Sequence, residues 1–265
     1  MSVTNSLPDF YSQFLSQDLL DLPIDEKAIT CDRCLQVPKL KPNLKCCTFH
    51  PILPNYLVGQ ILLKEQSKPS FISKVLKHKI SIKNEVYPLG ISVPAEYRKQ
   101  YPDPDQPGFG QKEELLCPYF DKKNLNCGIW QNRGSVCTSY FCQSSKGSQG
   151  MDFWSSFGDY LHLVEMALAQ EVLARLGFSA IQINHQLSLI TGDRKERGQD
   201  QDLDQDQDQV QNQDDDWAGF TSPESFYVKS LEIVKTLDRS SFVDLVGPEG
   251  QDLLNEVLQR GKIWR

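Results

Sequence analysis

Cysteine is the residue type in this chain best suited to chemistry, and its eight copies form two separate groups. The ligand candidates are Cys31, Cys34, Cys46 and Cys47 in the first group, and Cys117, Cys127, Cys137 and Cys142 in the second. Thiolates bind zinc and also hold iron–sulfur centres. One or two cysteines can serve as small packing residues, but eight in two tight groups indicate metal ligands.

The first group contains one short pair and one adjacent pair. Cys31 and Cys34 have the two-residue spacing that lets a tight turn point both sulfurs at one ion. A redox pair has the same spacing, but nearby prolines disfavour the strand and helix that it needs. Cys46 and Cys47 are neighbours, so in extended backbone they point to opposite sides. Either an irregular turn directs both to one centre, or only one is a ligand.

The second group alternates with aromatic residues, which predicts an apolar shell around the sulfurs. Such a shell limits water access and tunes a metal centre. Two further residues are accessory candidates beside the cysteines: His50, close after the first group, and Arg133, inside the second.

The stretch from Cys117 to Cys142 resembles the YkgJ-type cysteine-cluster family, which is described as zinc- or iron-chelating. The resemblance is carried by Cys117, Pro118, Tyr119, Cys127, Ile129, Trp130, Arg133 and Cys137. With the upstream cysteines it covers residues 31–142, and it implies metal binding. Gly134 and Thr138 stand where the family has proline and arginine. A related branch, the flagellin lysine methylases, supplies the only enzyme activity that the resemblance implies.

The identity of the metal is left open between an iron–sulfur centre and zinc. Paired zinc ribbons would show two short cysteine pairs per site, and this chain has one in total. The irregular, long-range spacing therefore favours iron–sulfur slightly.

Charge and hydropathy narrow the possible partners and compartments. The formal charge is −7. The eight aspartates between Asp200 and Asp216 carry −8, so the rest of the chain has a formal charge of +1. The rest has no strongly basic footprint, so we expect no nucleic-acid binding. No secretory signal or membrane-length apolar run is visible, which predicts a cytoplasmic protein with reduced thiols. Four disulfides would be the alternative in an oxidising compartment.

The predicted fold class is α+β and mainly helical, with a loop-rich, metal-organised cysteine region packed against C-terminal helices. The segments are an N-terminal arm (1–30), the cysteine region (31–150), a long helix and the segment after it (151–190), a disordered Asp/Gln linker (191–216) and C-terminal helices (217–265). The apolar period predicts a helix over 152–176, capped by Asp152. We also expect a strand around Ile80–Ile82 and an exposed connection over Pro94–Pro107.

The sequence thus predicts a metal-binding protein, with its role after binding left open. Two alternatives remain: a protein-modifying enzyme similar to the lysine methylases, and an adaptor in which zinc staples the cysteine region while the helices bind a protein partner. No glycine-rich dinucleotide fingerprint or radical-enzyme cysteine triplet supports the enzyme.

Overall fold

The computed structural model describes residues 7–26, 40–67, 70–100, 108–141, 144–192 and 217–265. Cys31, Cys34, Cys142 and almost all of the predicted linker lie outside these residues. The described chain is mainly helical with a few short strands, so the α+β, mainly helical prediction is confirmed.

Helices supply most of the regular structure in the described chain. The α-helices are α1 (Gln17–Leu20), α2 (Asn55–Ser67), α3 (Phe71–Ser81), α4 (Ala95–Gln100), α5 (Ser135–Ser139), α6 (Gly147–Arg175), α7 (Ala180–Thr191), α8 (Pro223–Lys235) and α9 (Arg239–Arg260). Four 3-10 turns cover Asp9–Gln13, Glu113–Leu115, Trp130–Asn132 and Gly261–Trp264.

The strands are two residues long and pair antiparallel. They are β1 (Leu53–Pro54), β2 (Val86–Tyr87), β3 (Gly90–Ile91), β4 (Phe120–Asp121) and β5 (Asn126–Cys127). The first three form a small sheet in the order β1-β3-β2, and β4 with β5 forms a hairpin. These pairings are too short to be stable alone, so packing against the helices must hold them.

Helix α6 is the central element of the core. Phe153, Phe157, Leu161 and Val164 recur at a spacing of three or four residues and are fully buried. The helix ends as predicted, because Gly177 takes a left-handed conformation and the Phe178 amide donates to the Leu173 carbonyl.

The predicted start of this helix was wrong. Helix α6 begins at Gly147, so Asp152 is an interior residue and not its cap. The first turn is small and polar and therefore carries no hydrophobic period. It is fixed instead by the preceding serines, because Ser144 and Ser145 both donate to the buried Glu26 carboxylate.

Two other local predictions were also wrong. Ile80 and Ile82 do not form a strand: Ile80 lies in α3, whose first turn is capped by the Ser70 hydroxyl. A short apolar run is compatible with a strand or with a helix, and tertiary packing selects the helix here. The proline-rich stretch is not only a connection, because it contains α4. Pro94 stands just before this helix, and its carbonyl accepts a hydrogen bond from the Tyr97 amide. Residues 101–107 lie outside the described part.

The C-terminal helices pack on the rest of the body. Helix α8 lies against α2, and α9 lies against α6. Ser222 caps α8 by accepting from the Ser225 amide, and Pro223 occupies its first turn, as the sequence predicts. Helix α9 is interrupted at Gly247, which has a φ of 59° and precedes Pro248.

The N-terminal segment is packed into the same core. Tyr11, Phe14 and Leu19 are buried, and the Phe10 ring stacks on Tyr56 of α2 at 4.9 Å between centroids. The Tyr11 hydroxyl lies beside α6, where it donates a hydrogen bond to the buried carboxylate of Glu165.

Within the described residues, no helix combines the length and apolar character needed to cross a membrane.

Candidate metal centre

Five cysteines line one cavity of about 80 Å³, here called the cysteine cavity. They are Cys46, Cys47, Cys117, Cys127 and Cys137. They come from four separate pieces of chain, so only the tertiary fold brings them together. The cavity exceeds the space of a single water molecule.

The turn at residues 42–48 presents Cys46 and Cys47. Successive turns fold this stretch on itself, with the Leu44 and Lys45 amides donating to the Lys41 carbonyl. The irregular backbone lets both neighbouring cysteines line the cavity, which extended backbone would prevent. The Cys117 amide donates to the Cys47 carbonyl at 2.7 Å, which fixes the two cysteine groups to each other.

The other two cysteines sit on short regular elements. Cys127 lies in β5, paired with Phe120 of β4, and the Cys117 carbonyl accepts from the Phe120 amide. Cys137 lies in the middle of α5, which packs against α6. The hairpin and this short helix thus form two walls of the cavity.

The remaining lining is largely apolar. It includes Phe49, Ile129, Trp130 and Val136. The predicted accessory residue Arg133 also lines the cavity: its guanidinium carbon lies 3.8 Å from the centroid of the Trp130 ring, and Nη1 donates to the Trp130 carbonyl at 2.7 Å. The arrangement fixes a positive charge beside the thiols in an apolar environment.

Burial holds the deepest cysteines in the protonated form. Burial raises the pKa of the Cys117 thiol, and the neighbouring Cys127 and Cys46 add to the rise against the attraction of Lys79. The pKa of Cys137 is raised well above its usual value by burial and by Cys117. A metal ion bound by these thiols would displace their protons, and its positive charge would stabilise the thiolates.

The described cysteines surround a space and do not converge on a point. Among the residues that the structure describes, no group of three or more His, Cys, Asp or Glu side chains is arranged to hold one metal ion. Of the eight predicted ligands, five meet at the cavity, and Cys31, Cys34 and Cys142 fall outside the described ranges.

His50, the other predicted accessory residue, is not part of the lining. It is buried edge-on to the rings of Tyr97 and Tyr119, and its Nε2 has no hydrogen-bond partner in the described chain. Burial lowers its pKa to about 3, and the positive charge of Lys79 contributes. His50 is therefore a neutral, buried residue that packs against the rings of Tyr97 and Tyr119.

Glu165 is a buried carboxylate that sequence reasoning missed. It lies on α6 with 3% of its surface exposed and accepts hydrogen bonds from the Ser135 amide at 2.7 Å, the Ser135 hydroxyl at 2.6 Å and the Tyr11 hydroxyl. An acidic residue within the apolar stripe of α6 was the only signal, and its partners are far away in sequence.

Burial dominates the ionisation of Glu165. It raises the pKa from 4.5 to about 7, although the hydrogen bonds from Ser135 and Tyr11 oppose the rise. The native protein thus binds more protons than the unfolded chain between these values. This group therefore contributes stability that is complete below about pH 4.5 and is lost as the pH rises through 7.

The variant Glu165→Gln should remove this pH dependence. We expect its free energy of unfolding, relative to the metal-free parent, to rise by about 2 to 3 kcal/mol between pH 5 and 8. Urea unfolding across this range measures the difference. The matched control is Glu171→Gln, a more exposed carboxylate on the same helix, for which we expect a flat difference. A flat difference for Glu165→Gln as well would contradict the assignment.

Comparisons with known proteins identify no relative: no family model, no curated protein and no solved structure matches this chain.

Proposed function

We propose that this chain is a metal-binding protein that holds an iron–sulfur centre in the cysteine cavity. The observation that carries the proposal is the meeting of five thiols, from four pieces of chain, around one apolar cavity. Cysteine thiolates are the usual protein ligands of such centres.

The distribution of the thiols favours a polynuclear centre over a single zinc ion. A structural zinc ion draws four ligands to about 2.3 Å from one point. Here the thiols stand on separate walls with a cavity of about 80 Å³ between them. A centre of several iron and sulfide ions extends in all directions and places each ligand on its own side.

Charge and solvent exclusion support the same assignment. An all-thiolate centre adds negative charge to a poorly hydrated site, and that charge needs compensation. Arg133 borders the cavity, and Lys79, 6% exposed, attracts the Cys117 thiolate. Aromatic walls such as Trp130 would limit water access to the centre.

The proposal carries over three expectations from the sequence. Cys31, Cys34 and Cys142 are further ligand candidates, the YkgJ-type family is the one that the cysteine pattern resembles, and the compartment is the reducing cytoplasm. The role after binding stays open between a cluster carrier, a redox sensor and an assembly partner.

The test is purification of the full chain without oxygen, followed by an absorption spectrum and by iron, sulfide and zinc analysis. We expect a brown protein with a broad visible band and with iron and acid-labile sulfide in comparable amounts. A colourless protein that retains zinc would overturn the iron–sulfur assignment while keeping metal binding. Neither metal at substantial occupancy would overturn both.

A further inference from the structure

One side of α6 forms the floor of an open groove of about 880 Å³, here called the α6 groove. Its walls come from α7 and α9, which both pack against α6. The floor residues recur every three or four positions from Asp159 to Gln170. At 1.5 Å per residue this floor is about 16 Å long, which corresponds to about three helical turns.

The lining of the α6 groove is largely aliphatic, and its side chains keep part of their surface open to water. The half-buried ones are Leu163, Ala167, Leu187, Leu245, Val246 and Leu253. They come from all three helices, so they form one continuous apolar surface and not scattered exposed residues. A continuous apolar surface with a polar rim is typical of an interaction site.

The break in α9 shapes one wall of the groove. Gly247 interrupts the helix, yet side chains from both halves line the groove, with Val246 before the break and Leu253 after it. Beyond the break α9 approaches α6 closely, because a Cβ atom on Gly250 would stand 3.1 Å from Leu163 Cδ2. The break therefore lets the two halves of α9 follow the same groove.

The charge around the groove is negative. Asp159 and Glu249 line it, both are exposed, and neither forms an ion pair with a lysine or arginine of the described chain. His162 also lines it, but partial burial lowers its pKa against the opposing effect of Asp159, so it is neutral at neutral pH. Arg98, beside the end of α7, is paired with Glu85 at 3.4 Å. The groove thus combines an apolar floor with uncompensated carboxylates.

We propose that the α6 groove binds an amphipathic helix of a partner protein, with aliphatic residues on one face and lysine or arginine beside them. The aliphatic residues cover the half-buried floor, and the basic residues pair with Asp159 and Glu249. The inference does not rest on the proposed function, because no cysteine of the described chain lines this groove.

The walls favour a helix over an extended peptide. All three are helices whose backbone groups are bonded internally, so a strand laid in the groove would find no partner for its own amides and carbonyls. A helix satisfies its backbone itself and presents apolar side chains every three or four residues. A partner helix of three to four turns matches the length of the floor.

Charge disfavours two occupants that the chain itself could supply. A second copy related by a two-fold axis would bring the groove against itself and place the carboxylates of Asp159 and Glu249 near their own counterparts. The segment from Asp200 to Asp216 carries eight aspartates and is repelled by the same carboxylates. A basic helix is attracted instead.

The experiment measures the binding of a fluorescent peptide to the full chain by anisotropy at about 0.15 M salt. The probe is a peptide of about 14 residues, or four helical turns, built from leucine, lysine and alanine with the leucines on one face. We expect saturable binding that is about tenfold tighter than that of the same peptide with glutamate in place of lysine. Equal affinities, or no saturable binding of the lysine peptide, would overturn the inference.

Charge reversal in the groove tests the role of the two carboxylates. Asp159→Lys/Glu249→Lys should weaken binding of the lysine peptide about tenfold, because two attractions become repulsions. The matched control is Glu96→Lys/Glu232→Lys, which changes the net charge equally at exposed carboxylates outside the groove lining. It should bind like the parent, which separates the groove from general attraction to the acidic segment. An equal loss in both double variants contradicts the proposal.

Ala167→Gln tests the apolar floor. The longer, polar side chain occupies the groove, so we expect the lysine peptide to bind about tenfold more weakly. Ala174→Gln is the control, because Ala174 is exposed on the same helix and is not part of the lining. Circular dichroism checks that both variants are folded. Unchanged binding by folded Ala167→Gln would place the peptide elsewhere and rule out the groove.

Two further measurements decide whether the chain itself fills the groove. We expect the parent and Ala167→Gln to sediment alike, and a parent dimer that Ala167→Gln dissociates would assign the groove to a second copy. We expect Arg194→Gln/Lys195→Gln/Arg197→Gln to bind the lysine peptide like the parent. A gain of about tenfold would show that these basic residues of the chain compete for the groove, and the partner helix would then be the wrong occupant.

Discussion

Replacement of Cys117, Cys127 or Cys137 by alanine should lower the iron retained by the protein at least tenfold. Each supplies a thiol from its own piece of chain, whereas Cys46 and Cys47 share one turn in the described part of the chain. An alanine methyl group has no lone pair to offer a metal. Iron and sulfide analysis of anaerobically purified variants, with the visible spectrum, measures the loss.

Cys46 and Cys47 should behave differently, because both line the cavity from the same turn. We expect either single alanine variant to keep a large part of the metal, and Cys46→Ala/Cys47→Ala together to lose it. The same substitution at Cys31, Cys34 and Cys142 tests the prediction from sequence that all eight cysteines are ligands.

Val136→Ala is the matched control for these variants. Val136 lines the same cavity and is 41% exposed. Its substitution by alanine reduces the side-chain volume but removes no metal ligand. Its iron content should equal that of the parent. Circular dichroism confirms that each variant is folded before its metal content is compared. Full iron retention in the folded Cys117→Ala and Cys137→Ala variants would rule out the cysteine cavity as the metal site.

Gly59→Ala should destabilise the protein by about 3 kcal/mol, although alanine is the better helix former. Gly59 lies within α2, where α8 crosses so closely that a Cβ atom would stand 1.9 Å from the Tyr227 carbonyl oxygen. Backbone cannot rotate away as a side chain can, so the two helices must separate. In an isolated helix the same change would stabilise by about 1 kcal/mol. The midpoint of denaturant unfolding gives the sign.

Gly158→Ala on α6 is the control for this prediction. A Cβ atom there meets the Ser139 side chain, with Oγ at 2.5 Å, and a serine hydroxyl can change rotamer. We expect a change of about 1 kcal/mol or less, because helix propensity offsets the adjustment. A Gly59→Ala variant as stable as the parent would show that α2 and α8 do not pack with their backbones in contact.

Local sequence patterns determined much of the helical framework. The apolar stripe from Phe153 onward predicts α6 and its end at Gly177, and Ser222 with Pro223 predicts the start of α8. These signals succeed because capping and helical periodicity depend on residues within one or two turns. They failed for Ile80–Ile82, where a short apolar run fits a strand as well as a helix.

The sequence by itself also determined the candidate chemistry, because thiol-bearing residues and their grouping are visible without a fold. Only the tertiary structure decided that Cys46, Cys117, Cys127 and Cys137 surround one cavity. The hydrogen bond from the Cys117 amide to the Cys47 carbonyl, for example, joins two segments that are far apart in the chain. It also decided the place of Glu165. A carboxylate beside Ser135 depends on long-range packing of α6 against α5, which local propensities do not contain.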